Sequence, residues 1–188
     1  MLKSFDDRRF EVIGYSNCPP NNVSEEFAES VTAWRDIDKR TPKENVAQIQ
    51  KDKIDILFEL AGHSANNMLF EIAHKPAPIQ IGGISWFNST GLDCVDYFLA
   101  DHYTDPIGFN DRFFIEKLLR MKYSHFCYMW HDKPQPVLPA PFTQTGYITF
   151  GSFNQFPKIR DDVLRAWKKI MDAVPNSQLM LKCEALNS

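Results

Sequence analysis

The stretch NQFPK, residues 154–158, lies between a predicted strand and a predicted helix and could bind a phosphate group. A helix N-terminus carries unpaired N–H groups and about half a positive charge, and both attract anions. Lys158 can add a point charge, and Gln155 can form hydrogen bonds with a base or a ribose. Asp161 and Asp162 are ordinary residues for the first helical turn, so an unremarkable loop explains the stretch equally well. The sequence contains neither a P-loop nor a GxGxxG stretch.

Two further polar loops each follow an apolar run that is typical of a buried strand. GHSANN begins with Gly62 and His63, and WFNSTG ends with Ser89, Thr90 and Gly91. Ligands of open parallel sheets bind outside the carboxyl ends of the strands, so His63 is expected to project into a crevice there. A surface or helix-capping histidine, and an ordinary turn rich in turn-forming residues, are the alternatives that position alone favours.

Metal chemistry is not expected from this sequence. The four cysteines are widely spaced and form no CxxC or Cys/His cluster, which suits reduced thiols in a cytoplasmic protein. Partners at metal-ligand spacing are also missing for four of the histidines, namely His74, His102, His125 and His131. Asp96 and Asp101 are five residues apart on one predicted strand, so they face opposite ways and form no carboxylate pair.

The elements that must position these residues alternate between strand and helix patterns. Strands are expected at residues 10–16, 33–37, 54–60, 77–85, 95–101, 116–122, 147–153 and 177–183. Helices are expected at residues 24–32, from Thr41 onward, at 67–74 and at 160–174. This alternation predicts an α/β fold built on a parallel sheet with right-handed crossovers. The strand at 54–60 is mostly apolar and is expected to be buried on both faces.

Local signals define one helix start and the domain limits. In TPKE, Thr41 can cap a helix, Pro42 suits its first turn, and Glu44 stands at the capping-box position. Four prolines in residues 131–146 exclude a helix or a central strand, so this segment is predicted to link a domain at 1–130 to a second one at 147–188. A β-α-β unit of about 40 residues cannot build a core alone, so the second domain is expected to be truncated.

Charge and hydrophobicity exclude other classes of protein. The 188 residues carry a net charge of −3, so no global basic field attracts nucleic acid or an anionic membrane. The N-terminus has no apolar core of a signal peptide, and no run approaches the roughly 18 apolar residues of a membrane span. A cytoplasmic protein is expected.

Several motifs in register give a more specific indication. The stretches DILFELAGHSANNMLFEIAHKPAPIQIGGISWFNSTGLDCVDYFLAD, EKLLRMKYSHFCY and ITFGSFNQFPKIRDDVLRAWKKIMDAVPNSQLMLK closely resemble the catalytic region of the O-linked N-acetylglucosamine transferase and SPINDLY family. The resemblance covers about residues 10–182. It implies a GT-B architecture: most of an N-terminal Rossmann-like lobe, the first β-α-β of a C-terminal donor-binding lobe, and an active site between the two lobes.

The resemblance also implies an activity and its partners. The family transfers a sugar from a nucleotide-sugar, here expected to be UDP-GlcNAc, to Ser or Thr of proteins without a metal or other cofactor. Tetratricopeptide repeats upstream usually present the acceptor protein, and neither nucleic acid nor membrane takes part. Half of the donor site would lie beyond this chain, so the chain alone is expected to have little or no transferase activity.

Individual residues match the family motifs. By this resemblance, Gln155 and Lys158 hold the nucleotide, with the lysine near the diphosphate, and His63 matches the histidine of the GHT loop. Lys158 and His63 are therefore the expected catalytic residues. Three neighbouring residues are expected near the donor sugar, namely Ser89, Thr90 and Gly91. Phe126 matches an aromatic residue near the same cleft, although its FCYMW stretch could equally be interface core.

Departures from the family pattern support alternatives. ISWFNSTG stands where the family has LGYPGTTG, so Ser85 and Asn88 replace glycines and Phe87 replaces a proline, and Met68 replaces a common arginine. These changes suit a degenerate lobe that binds a partner without catalysis. A SPINDLY-like O-fucosyltransferase using GDP-fucose is a further alternative. An unrelated Rossmann-type enzyme is disfavoured by the missing glycine fingerprint.

Overall fold

The computed structural model describes residues 5–127 and 136–183, which fall into two compact units at residues 1–129 and 130–188. In the first unit, strands β1 (Ile13–Ser16) and β2 (Ala33–Asp36) pair in parallel and are connected through helix α1 (Asn22–Ala28). Helix α1 is shorter than the helix predicted at 24–32. The chain leaves the helical path after Glu29, whose N–H closes the last turn.

The centre of the first unit is a four-stranded sheet in the order β3-β4-β5-β6. Its strands are β3 (Ile56–Glu59), β4 (Ile79–Gly83), β5 (Tyr97–Asp101) and β6 (Lys117–Met121). Every pairing in this sheet is parallel. Helix α2 (Pro42–Lys51) leads into β3, and α3 (Leu69–Ala73) lies between β3 and β4. The prediction of a parallel α/β fold is therefore confirmed.

The hydrophobic core of this unit lies between the sheet and helices α2 and α3. It is formed by five buried residues, namely Ile49, Leu57, Ile72, Ala77 and Val95. The prediction that β3 is buried on both faces is wrong, because Leu57 and Glu59 are buried whereas Ile56 and Phe58 are 46% and 38% exposed. The described residues leave that second face of β3 uncovered. Strand β4 does follow the expectation from Gln80 onward.

Helix α2 begins with the capping box that TPKE predicts. The Glu44 N–H donates to Thr41 Oγ1 at 3.4 Å, and the Thr41 N–H donates to Glu44 Oε2 at 2.8 Å. Pro42 occupies the first helical position, where no N–H is needed. The cap fixes the start of the helix that carries Ile49 into the core.

The second unit contains the predicted β-α-β arrangement. Strands β7 (Thr149–Ser152) and β8 (Gln178–Leu181) pair in parallel, and helix α5 (Asp161–Ala173) lies between them in sequence. Residues of α5 and of the sheet together line a cavity of about 160 Å³, namely Phe150, Gly151, Ser152, Trp167, Ile170, Met171 and Leu179.

The prediction that the prolines of residues 131–146 exclude a helix is wrong, because this segment contains a short one. Residues 131–135 lie outside the described part, but Phe142–Thr145 form the single turn α4. Pro141 precedes this turn, where its missing N–H costs nothing, and Gly146 ends it with a φ of +74°. In the described part of the chain, no helix is long and apolar enough to cross a membrane.

We expect the substitution Thr41→Ala to lower the free energy of unfolding by about 1 kcal/mol, because it removes the cap of α2. Urea unfolding of the 188-residue chain measures this change. Thr41→Ser retains a capping hydroxyl and is the matched control. Equal midpoints for the alanine variant and the original chain would show that the cap contributes no stability.

Candidate functional site

The loop after β3 carries His63 and is held by a buried carboxylate at the end of that strand. Glu59 is 4% exposed and accepts hydrogen bonds from the N–H groups of Ala61 at 3.1 Å and Gly62 at 2.6 Å. Gly62 has a φ of +54°, and a Cβ there would lie 2.3 Å from the Cβ of Trp86. Only glycine fits this turn. The turn leaves the His63 side chain exposed.

The loop after β4 is held by a second buried carboxylate, that of Glu116, which directly precedes β6. Its Oε1 accepts hydrogen bonds from the N–H of Thr90 at 2.7 Å and from the Thr90 hydroxyl, and its Oε2 accepts one from the Ser89 hydroxyl at 2.8 Å. The N–H of Gly91, whose φ is +75°, donates to Ser89 Oγ at 3.0 Å. Thr90 and Glu116 are 3% and 5% exposed. This loop is consequently fixed at its backbone and at its hydroxyls.

The two loops meet at His63. Its Nε2 lies 2.9 Å from the carbonyl oxygen of Thr90, and its ring packs edge-on against Trp86 with the ring centres 5.5 Å apart. The structure therefore brings His63 next to Ser89, Thr90 and Gly91 at the carboxyl edge of the sheet. These residues form one surface, as the strand-end argument predicts.

An open cleft of about 380 Å³ lies beside the second loop. Aromatic rings and small polar groups line it, at Phe87, Asn88, Asp105, Asn110, Phe113 and Phe114. Ligand sites commonly combine apolar walls with a few polar groups in this way.

A second histidine at this edge is paired with a carboxylate. Asp101, the last residue of β5, accepts hydrogen bonds from His125 Nδ1 at 2.7 Å and from the N–H of His125 at 2.9 Å. It also accepts the N–H groups of Tyr103 and Thr104, each at 2.8 Å. The Thr104 N–H and then the His125 contacts hold the pKa of Asp101 well below its usual range, against the opposing effect of burial. Both side chains of the pair are almost fully buried.

Phe126 lies next to this pair and remains 51% exposed. Its ring centre is 4.3 Å from that of His125 and 5.6 Å from that of Phe87. The rest of the FCYMW stretch beyond Cys127 lies outside the described residues. Phe126 therefore presents an accessible aromatic face at the same edge as the two loops.

In the second unit, Gln155 and Lys158 do not lie at the N-terminus of α5. Residues Phe156–Lys158 form a separate 3₁₀ turn, in which the Lys158 N–H donates to the Gln155 carbonyl at 3.0 Å. The turn ends at Ile159, whose φ of −88° and ψ of 80° leave the helical region, and α5 begins at Asp161. The helix therefore starts where the sequence predicts, at about Arg160, and the phosphate site in the loop before it stays a prediction. Lys158 is exposed and forms no ion pair with the described residues.

The model of glycosyl transferase family 41 matches residues 2–135, which is most of the chain. The chain belongs to glycosyl transferase family 41. The predicted family is thereby confirmed.

Within residues 5–127 and 136–183, no group of three or more His, Cys, Asp or Glu side chains could hold a metal ion.

Relatives with this family's catalytic region are similar over nearly the whole chain. The chain is 42% identical over 188 residues to the Arabidopsis thaliana protein named probable UDP-N-acetylglucosamine–peptide N-acetylglucosaminyltransferase SPINDLY, and 37% identical to its Solanum lycopersicum counterpart. Each match covers 97% of this chain and 20% of the relative. The chain thus spans about a fifth of the length of these relatives.

A solved structure confirms the predicted architecture. A mutant of the Thermobaculum terrenum O-GlcNAc transferase matches 100% of this chain and 35% of its own chain, with a TM-score of 0.89 and 31% sequence identity. The α/β fold of this family 41 chain is therefore of the GT-B type.

Glu59 and Glu116 are the residues that sequence reasoning missed in this family 41 chain. One signal was available: Glu59 ends an otherwise apolar strand, and a carboxylate in that position needs buried hydrogen-bond donors. Glu116 gave no such signal, because its partners lie 26 and 27 residues away in the sequence. The pairing of His125 with Asp101 was missed for the same reason, since the prediction made His125 only packed or solvated.

We expect Asp101→Asn to reduce the acid sensitivity of the chain. A carboxyl with a depressed pKa stabilises the fold above its unfolded pKa of about 3.9, and this stabilisation is lost as the pH falls through the folded value. The original chain should therefore lose stability below about pH 4 more steeply than Asp101→Asn, which should already be less stable at pH 7.

Urea midpoints measured between pH 7 and pH 3 test this prediction. Asp93→Asn, at an exposed position, is the matched control and should keep the original pH profile. An unchanged acid slope in Asp101→Asn would show that this carboxyl is not the acid-sensitive group.

Proposed function

We propose that these residues are part of a glycosyltransferase that moves N-acetylglucosamine from UDP-GlcNAc to serine or threonine hydroxyls of proteins. Membership of family 41 supports the reaction class, and the names of the SPINDLY relatives support the donor and the peptide acceptor. The observation that carries the proposed site is the contact of His63 with Thr90, because it joins the two loops that the family motifs associate with catalysis and with the donor sugar.

The proposed reaction is a direct displacement. The hydroxyl oxygen of the acceptor attacks C1 of the sugar, and the bond between C1 and the diphosphate oxygen breaks. The nucleoside diphosphate leaves with the bonding electron pair, and the acceptor proton passes to a base. His63 suits this base because its exposed imidazole stands on a loop that Glu59 and Gly62 hold rigid.

Negative charge develops on the leaving diphosphate and is stabilised by a cation that no other residue already pairs. We assign this role to Lys158, which is exposed and has no ion-pair partner among the described residues. Gln155 precedes it and is assigned to the nucleotide. Stabilisation of developing charge by a positioned cation is commonly worth a factor of about 10² to 10³ in rate. With Lys158 in this role, the proposed mechanism uses no metal or other cofactor.

Four residues of the first unit are assigned to the donor sugar, namely Ser89, Thr90, Gly91 and Phe126. Gly91 offers an exposed backbone that a ligand can approach closely, and Phe126 offers an exposed ring. Ser89 and Thr90 give their hydroxyls to Glu116 and so fix the shape of the loop. The cleft lined by Phe87 and Asn88 adjoins this loop and supplies space for a ring-sized group. These features support sugar binding at the edge of the sheet.

We further propose that the working enzyme is longer than this chain. The chain spans about a fifth of its relatives' length, which supports a larger donor lobe and upstream tetratricopeptide repeats that present the acceptor protein. A cytoplasmic location is proposed because Cys18 is an exposed thiol, and exposed thiols persist in reducing compartments.

The 188-residue chain alone is expected to transfer no radiolabelled sugar from UDP-GlcNAc to protein above a blank without enzyme. The full-length protein should transfer it, and GDP-fucose should not replace UDP-GlcNAc. Transfer from GDP-fucose only would replace the proposed donor. Absence of both transfer and detectable UDP binding in the full-length protein would instead indicate a non-catalytic binding module.

In the full-length protein, Lys158→Ala should lower kcat by about 10² or more with a smaller change in the KM for the donor, because the charge acts chiefly in the transition state. Lys169→Ala, which removes an exposed lysine of α5, is the matched control. Equal loss in both variants would contradict the role of Lys158.

A further inference from the structure

Glu59 and Glu116 are buried carboxylates that bind loops rather than cations. Neither forms an ion pair with any residue in the described part of the chain, and both accept only N–H or O–H groups of the two loops. Burying a carboxylate costs several kcal/mol unless it is paired or hydrogen-bonded. Their hydrogen bonds offset this cost only while the loops hold one conformation, so the carboxylates and the loop conformations depend on each other.

Glu116 determines how the peptide groups of Thr90 are oriented. The N–H and the hydroxyl of Thr90 both point to Glu116 Oε1, and the hydroxyl oxygen also accepts the N–H of Leu92 at 3.3 Å. The Thr90 carbonyl belongs to the next peptide group, whose Gly91 N–H donates to Ser89 Oγ. The Ser89 hydroxyl in turn donates to Glu116 Oε2. This carbonyl points at His63 Nε2, 2.9 Å away. Glu116 is therefore connected to His63 through one residue.

The Thr90 carbonyl determines which ring nitrogen of His63 carries a proton. A carbonyl oxygen can only accept a hydrogen bond, so Nε2 must carry the proton. In the neutral imidazole, Nδ1 then holds the free lone pair, and the exposed ring can present it to a substrate.

We propose that Glu116 is a positioning residue that acts through Thr90 to hold His63 as the Nε2–H tautomer, leaving Nδ1 to accept the proton of the acceptor hydroxyl. The catalytic part of this inference rests on the proposed function. The tautomer part concerns the chain without donor or acceptor and can be tested independently.

Long-range ¹H–¹⁵N correlation spectra of the labelled 188-residue chain report which ring nitrogen of a neutral histidine is protonated. Spectra are recorded at about pH 8.5, roughly two units above the ordinary histidine pKa. The His63 signals are assigned by their disappearance in His63→Gln. The original chain should show Nε2 protonated. In Glu116→Gln, whose amide N–H₂ can face the Thr90 N–H, the His63 signals should shift toward the average of both tautomers.

Glu71→Gln is the matched control, because Glu71 is equally buried and bonds to Asn45 Nδ2 at 2.9 Å, away from both loops. It should leave the His63 signals unchanged, and thermal unfolding checks that both variants are folded. The proposal is overturned if Nδ1 is protonated in the original chain, if Glu116→Gln leaves the tautomer unchanged, or if Glu71→Gln shifts it equally.

Transfer by the full-length protein separates this inference from the proposed function. Glu116→Gln should lower kcat about tenfold or more while the donor KM changes little, as expected for a weakened general base. Full activity of Glu116→Gln beside an inactive Lys158→Ala would overturn the inference alone. Absence of transfer by the unsubstituted full-length protein would overturn the proposed function. The tautomer spectra would then still decide the role of Glu116.

Discussion

The parallel pairing of β3, β4, β5 and β6 is the constraint on which the candidate site depends. Because all four strands run in one direction, each strand delivers the loop at its carboxyl end to the same edge of the sheet. His63 follows β3, Thr90 follows β4, and Asp101 ends β5. An antiparallel neighbour would place its loop at the opposite edge. Residues 27 positions apart, such as His63 and Thr90, meet for this reason alone.

Buried carboxylates then convert this common edge into a rigid one. Loops have backbone N–H groups that no strand or helix satisfies, and a buried N–H without a partner is costly. Glu59, Glu116 and Asp101 each accept at least one such N–H from the loop they support. The carboxylates thus supply the hydrogen-bond acceptors that a strand or a helix would otherwise provide. A site on such loops keeps its geometry while its side chains stay accessible, which is what positioning of substrates requires.

Much of this arrangement could be predicted from the sequence, because its determinants are local. The capping box at Thr41 and Glu44 involves neighbouring residues, and the alternation of apolar runs with helical patterns predicts a parallel sheet. The hydrogen bonds of Glu116 could not be predicted, since they depend on the register between distant loops. The 3₁₀ turn before α5 could not be predicted for a different reason. It ends because the backbone of Ile159 leaves the helical region, and helix propensity does not indicate where a chain bends.

The two histidines at this edge are held in opposite ways, and this difference decides which of them can act on a substrate. His125 donates its Nδ1–H to the carboxylate of Asp101, so its lone pair lies on Nε2, within a side chain that is only 3% exposed. His63 donates Nε2–H to a backbone carbonyl, and its Nδ1 belongs to an exposed ring. A carbonyl does not titrate, so the hydrogen bond that orients His63 does not depend on the protonation of its acceptor. His125 is consequently suited to holding the edge together, and His63 to exchanging a proton with a bound hydroxyl.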